Sequence, residues 1–348
     1  MSVYDNRFNA VLALGDFWSA YVLENSQNGH LSERFSSLEA QIELAGHKNG
    51  WFTKDNVLHA IKQWSILLNK ASLEAWLAPY PTPSKKPTVF IIMAGNIPLV
   101  GFHDFLTAYL AGAKVVLKAA TNDKVLLTWI IDFLNNQAPS EAQEIEIVTA
   151  YKGAYDGLIA TGSDNTARYF EHYFGHKPHI IRKNRNSIAV LSGHESQQDL
   201  EAMGEDIFRY YGLGCRSVSK IYVPKGYDFD ILFKAVFKYK DLINYEKYSN
   251  NYDYNKAVYL MSNFKILDNG FLILKEDKSF SSPIGSLFYE TYDSLENLNT
   301  SLQDKKELIQ CIVGPKTLEG ALAFGETQKP SLTDYADGVN TMEFIKSL

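Results

Sequence analysis

The segment Tyr211-Gly212-Leu213-Gly214-Cys215-Arg216 sets a thiol behind two glycines and in front of a guanidinium. Glycine lets the backbone turn tightly and approach a ligand. A neighbouring cation favours the thiolate, which is the nucleophilic form of cysteine. Free cysteine is also a common inert core residue, so Cys215 is either a nucleophile or packing. The second cysteine, Cys311, lies in the apolar run Leu308-Ile309-Gln310-Cys311-Ile312-Val313 and reads as inert.

Three other short segments could serve chemistry. In Ala94-Gly95-Asn96-Ile97-Pro98-Leu99 the Asn96 amide could donate to a developing oxyanion, or simply cap a helix. Lys118 closes Val115-Val116-Leu117-Lys118, 22 residues after Asn96. Its amine reaches either solvent or the ribose or phosphate of a nucleotide. Thr161-Gly162-Ser163 precedes a helical stretch, where backbone N–H groups bind phosphate or a serine caps the helix. His103 and His194 have no partner visible in sequence, and no metal-ligand spacing occurs.

These residues need a frame. Residues 1–80 read as helices, with Ile61, Trp64, Leu67 and Leu68 at helical spacing and Thr53 as an N-cap. The proline-rich stretch 79–87 breaks that pattern and reads as a linker. From Val89 onward, short runs rich in β-branched residues alternate with helical segments: strands near 89–93, 114–117, 145–148, 158–160 and 188–191, helices near 102–111, 124–134, 165–174 and 197–211. Such alternation implies crossovers and a largely parallel sheet, whose ligands sit beyond the strands' C-terminal ends. Asn96, Lys118 and Thr161 all fall at such ends. A second α/β unit follows Cys215, with strands near 218–223, 287–289 and 309–313, helices near 231–242 and 295–302, and a hairpin across Asp268-Asn269-Gly270.

With 348 residues, two domains are expected. Hydrophobic residues make up 46% and charged residues 21%, which excludes disordered and fibrous classes. The net charge of -6 carries no basic nucleic-acid footprint. Two cysteines point to a reducing compartment, and neither a signal peptide nor a membrane span is visible, so a cytoplasmic protein is expected.

Taken together and in this order, the four segments resemble the aldehyde dehydrogenase superfamily. Its Asn-x-Pro strand end is matched by Asn96-Ile97-Pro98, its Val-Val-Leu-Lys by residues 115–118, its Thr-Gly-Ser turn by residues 161–163, and its Gly-x-x-Cys by residues 212–215. The Gly-Asn-Ile-Pro form, and a cysteine without a following Thr or Ser, resemble the LuxC-type fatty acyl-CoA reductases. The resemblance spans about residues 88–315. It implies a Rossmann-like cofactor domain at 88–211 with residues 1–80 as its helical N-terminal segment, a catalytic α/β domain at 212–330, and a C-terminal tail at 331–348.

It also implies Cys215 as nucleophile with Asn96 at the oxyanion. Lys118, Thr161, Gly162 and Ser163 become cofactor contacts, with NADPH the expected cofactor and NAD an alternative. The substrate would be an acyl-CoA or another acyl thioester. The basic stretch 176–185 is a candidate for phosphate contacts or a solvated loop. Two departures stand out. Aldehyde-oxidising members carry a general-base Glu 34 residues before the cysteine, where this chain has Ile181. Their Glu-x-Phe-Gly-Pro is replaced by Ser282-Pro283-Ile284-Gly285-Ser286. Without the Glu, thiol exchange is favoured over hydrolysis. The C-terminal extension is shorter than the family's, so a homo-oligomer stays open. An acyltransferase or thioesterase, an acyl-phosphate reductase, and a non-catalytic interaction protein are the alternatives.

Overall fold

The computed structural model describes residues 3–27, 31–81 and 85–348. Thr82, Pro83 and Ser84 of the proline-rich stretch lie outside the described residues, as do Met1 and Ser2 of the N-terminus. The chain divides into two units, one of residues 1–183 with 331–348 and one of residues 184–330.

The first unit opens on four helices, α1 (Val3–Ser26), α2 (Ser36–Lys48), α3 (Lys54–Leu67) and α4 (Lys70–Leu77). Helix α1 buries Val11, Leu14, Trp18 and Tyr21, a stripe at helical spacing. Thr53 caps α3 as expected, its side chain accepting from Asn56 N–H. Strand β1 (Thr88–Ile92) then begins an alternation with α5 (Phe102–Leu110), β2 (Lys114–Lys118), α6 (Lys124–Gln137), β3 (Ile145–Ile147), β4 (Gly157–Thr161), α7 (Asp164–Phe174) and β5 (His179–Arg182). The five strands form one sheet of order β3-β2-β1-β4-β5, parallel throughout. In register, Ile92 lies opposite Lys118 on one side and Ala160 on the other. The C-terminal ends of β1, β2 and β4 therefore share one edge.

Strand β5 corrects the reading of residues 176–185 as a single basic loop. Arg182 is buried on that strand and pairs with Asp104 of α5, donating to Oδ1 at 2.8 Å and to Thr341 Oγ1 at 3.1 Å. A buried guanidinium is costly unless paired, and this one is paired within the fold.

The second unit contains β6 (Asn186–Val190), α8 (Gln197–Phe208), β7 (Val218–Pro224), α9 (Phe229–Ala235), α10 (Glu246–Met261), β8 (Ile266–Asp268), β9 (Ile273–Glu276), β10 (Ser286–Tyr292), α11 (Leu295–Gln303) and β11 (Ile309–Val313). Its sheet runs β11-β6-β7-β10-β9-β8, parallel except for β8 against β9, the hairpin expected around Asn269. Leu191, Leu200, Met203, Val218, Ile221, Val223, Phe271, Leu274 and Leu287 fill its core.

The division falls before Asn186 and not at residues 211–212. The reason is pairing: β6 is bonded to β7 and β11, and α8 packs on the same core. Residues 331–348 are likewise not a loose tail. They close the first unit with α12 (Thr341–Ser347), held by Trp76 Nε1–H to Tyr335 Oη at 2.8 Å and by Asn340 Nδ2 to Tyr80 Oη at 2.8 Å.

Candidate active site

Helix α8 ends in a strained turn. Tyr210, Tyr211 and Gly212 have φ of 56°, 58° and 77°, all left-handed. Glycine accepts that region freely, but each tyrosine costs about 1–2 kcal/mol there. Burial of the Tyr210 ring and stacking of Tyr211 on Tyr245, centroids 4.8 Å apart at 19°, offset the cost. Gly214 is not among the left-handed residues, so of the two glycines only Gly212 is required by its φ. The tyrosines do the turning that sequence assigned to the glycine pair.

Cys215 follows this turn and is exposed, whereas Cys311 is buried on β11, and neither is in a disulfide. Ser187 of β6, fully buried, donates its hydroxyl to the Cys215 carbonyl at 2.9 Å. Arg216 behaves differently from expectation. Its Nη1 donates to Cys311 Sγ at 3.3 Å and to the Thr327 carbonyl at 3.2 Å, so its hydrogen bonds go to the second cysteine and to a loop. That loop is itself anchored: Asp206 of α8, fully buried, accepts from Gly325 N–H at 2.6 Å, Thr327 N–H at 3.0 Å and Thr327 Oγ1 at 2.8 Å. Burial pushes the Asp206 carboxyl up from its ordinary value, against the three hydrogen bonds that lower it. Gln328 Nε2 donates to Ser217 Oγ at 3.3 Å. Sequence reasoning missed Ser187, Asp206, Thr327 and Gln328. They are common residue types, and their partners lie far away along the chain.

In the first unit, Asn96 is exposed on the loop between β1 and α5. The loop is tightly set. A Cβ on Gly95 would lie 2.5 Å from Ala120 Cβ and 2.8 Å from Asp123 Cβ, so only glycine fits. Asn49, 5% exposed, donates its amide to the Gly95 carbonyl at 3.2 Å. Leu99 completes the turn in the left-handed region with φ 59°. Beside it, desolvation pushes the half-buried Asp123 carboxyl up to about 8.

Lys118 is exposed where β2 ends. Ser163 caps α7, its Oγ accepting from Thr166 N–H at 3.3 Å, with Thr161 and Gly162 half-buried at the end of β4. All three of these residues and Lys118 share the sheet edge that bears the Asn96 loop. His103 is stacked against Trp64 and Trp76 and bonds the Leu332 carbonyl at 2.9 Å, a packing role, and His194 is exposed. Among the described residues no group of three or more His, Cys, Asp or Glu side chains could hold a metal ion, and no helix is long and apolar enough to cross a membrane.

No family model matches the chain. Solved aldehyde dehydrogenases do superpose on it. The NAD+ complex of the Bacillus cereus enzyme gives a TM-score of 0.62 at 13% identity, covering 90% of this chain and 72% of that one. Aldehyde dehydrogenase 21 from Physcomitrella patens, in complex with the product succinate, gives 0.66 at 12% identity over 100% of this chain and 84% of that one. Long-chain acyl-protein thioester reductase 2 from Photobacterium leiognathi is 26% identical over 220 residues, 56% of this chain. The chain has the aldehyde dehydrogenase fold and is similar in sequence to a LuxC-type acyl reductase. The match spans 45% of that reductase's length, less than half of it.

The two departures from the aldehyde-oxidising pattern take physical form. Ile181, where the oxidising enzymes would have their general base, is half-buried on β5 and packs beside Phe90, Ile92 and Leu158. An apolar side chain there can activate no water. The turn 282–286 is closed by Ser282 Oγ donating to the Ser286 carbonyl at 2.8 Å and by Asn255 Nδ2 donating to the Ile284 carbonyl at 3.0 Å. Gly285 there has φ 78° and approaches the Tyr252 backbone.

Proposed function

We propose that the chain reduces a fatty acyl thioester to the aldehyde, with Cys215 carrying the acyl group and NADPH as reductant. The observation that carries this reading is the exposed Cys215 on a strained, tethered turn, at the position where the sequence resembles the Gly-x-x-Cys of the superfamily. Acyl-CoA is the proposed substrate. The name of the Photobacterium relative favours a protein-borne thioester as a second reading.

The Cys215 thiolate attacks the thioester carbonyl carbon, forming a new C–S bond. The Asn96 amide and the Cys215 N–H are the proposed donors to the oxyanion; one such donor is typically worth about 3 kcal/mol. Collapse breaks the original C–S bond, and the CoA thiolate leaves with the electron pair. A nicotinamide dinucleotide, if bound, would supply the hydride that the acyl carbon needs. The residues at the sheet edge fit such a group in kind: Lys118 offers an amine, and Thr161, Gly162 and Ser163 offer a helix start where backbone N–H groups suit phosphate. The resulting thiohemiacetal on Cys215 loses its C–S bond, releasing aldehyde and restoring the thiolate. The chain has Ile181 where the oxidising enzymes carry their base, which favours thiol exchange or reduction over hydrolysis.

The test is NADPH oxidation with acyl-CoAs of graded length and with an acylated carrier protein, wild type beside Cys215→Ala, and NADH in parallel. Thioester-dependent oxidation lost in the variant supports the reading. Acylation of Cys215 without oxidation replaces it with acyl transfer. No acylation at all removes the thioester chemistry.

A further inference from the structure

We infer that Ser187 is a positioning residue for Cys215, an inference that rests on Cys215 being the nucleophile. The side chain is fully buried on β6, and its hydroxyl spans from the sheet to the carbonyl of Cys215 at 2.9 Å. That carbonyl belongs to the Cys215–Arg216 peptide, so the bond fixes the peptide plane on the C-terminal side of the nucleophile. On the N-terminal side stands the left-handed run Tyr210–Gly212. A strained turn relaxes unless something holds its far end, and Ser187 supplies that hold.

The sheet is locally rebuilt around this one residue. Between β6 and β7 the register shifts after Ser187: Ser187 faces Val218, but Ile188 faces Lys220, leaving Ser219 extra. On the other side Asn186 faces Ile309 and Ile188 faces Ile312, so Gln310 and Cys311 lie opposite Ser187 alone. Bulges interrupt the ladder and re-aim side chains. Two neighbouring strands therefore bulge at the same residue of β6, and that residue's hydroxyl is the one that reaches the Cys215 loop. The extra Ser219 donates to the Phe280 carbonyl at 2.7 Å and, at 3.5 Å, to the carbonyl of Ser187 itself. The tether and the thiol direction are thus coupled through one peptide plane.

Three variants of the full chain test this: Ser187→Ala, Ser187→Thr and Ser187→Val; the isosteric threonine and valine variants differ only in the hydroxyl and decide the matter should the alanine variant not fold. Acylation of Cys215 is timed by quenched flow and intact mass with octanoyl- and hexadecanoyl-CoA, and alkylation of Cys215 is timed with iodoacetamide. Loss of the hydroxyl is expected to slow acylation about tenfold through misplacement of the thiol. KM and alkylation, which make no such demand on direction, stay within about twofold. Threonine restores acylation and valine does not. Equal acylation by the threonine and valine variants, or an equal fall in acylation and alkylation, overturns the inference while leaving Cys215 as nucleophile. If the wild type itself is never acylated at Cys215, the nucleophile reading fails and the inference falls with it.

Discussion

Replacing Asp206 by alanine probes the scaffold behind the cysteine loop. The carboxylate accepts three hydrogen bonds from residues 325–327 while fully buried. Alanine leaves the N–H groups of Gly325 and Thr327 without that acceptor, at about 1–3 kcal/mol each. The Thr327 hydroxyl can rotate to another acceptor and adds little. Against this, removing a carboxyl whose burial already pushes its pKa up relieves desolvation and offsets part of the loss. The net expectation is a destabilisation of about 3 kcal/mol. For a unit of this size it lowers Tm by about 6–12 °C. Asp206→Asn keeps the shape and one acceptor oxygen, so about half the effect is expected. Urea unfolding followed by tyrosine fluorescence and a thermal melt give both numbers. Because Thr327 in turn accepts from Arg216, the same variants should raise the alkylation rate of the buried Cys311. An alanine variant that melts within about 2 °C of wild type would refute the claim that these three bonds hold the 325–328 loop.

Removing Arg182 leaves the buried Asp104 without its cation, so Arg182→Ala should cost about 3–5 kcal/mol in a urea titration. Asp123 is held near 8 in the folded state against about 4 unfolded, so between those pH values the unfolded chain is ionised and the folded one is not, and stability falls as pH rises. Asp123→Asn should accordingly melt close to wild type at pH 4 and progressively above it toward pH 8; a difference that does not change with pH contradicts the assignment. Cys215→Ala should abolish fast labelling by iodoacetamide in the native protein, whereas Cys311→Ala should leave it unchanged, as read by peptide mass mapping of the labelled chain.

Much of the frame was legible because burial and period coincide. The runs Val89–Ile92, Val115–Leu117 and Leu158–Ala160 are apolar and fully parallel in pairing, and a strand covered on both faces shows just such a run. Helix α10 was not legible. Its buried stripe is Tyr248, Tyr252, Asn255 and Tyr259, correctly spaced for a helix but built from residues that read as polar. Strand β5 was hidden by its basic residues, since only a partner 78 residues away, Asp104, explains why Arg182 is inside. At the candidate site, Cys215 drew notice through its glycine neighbours and the resemblance. The direction of Arg216 and the tether from Ser187 were not, because hydrogen bonds between distant segments leave no periodic trace.

The chain's division has a consequence for how it folds. Residues 331–348 complete the first unit, which makes the second unit an insertion of about 150 residues into it. Bringing the ends of an unstructured insertion that long together costs about 4–5 kcal/mol in chain entropy. A second unit that folds first removes most of that cost, because its own sheet and the Asp206 anchor fix where residues 184 and 330 emerge. Docking of α12 beside Arg182 then becomes a late step, possible only once residues 341–347 have been synthesised. A ribosome-tethered chain should therefore acquire a protease-resistant second unit before its first unit is closed.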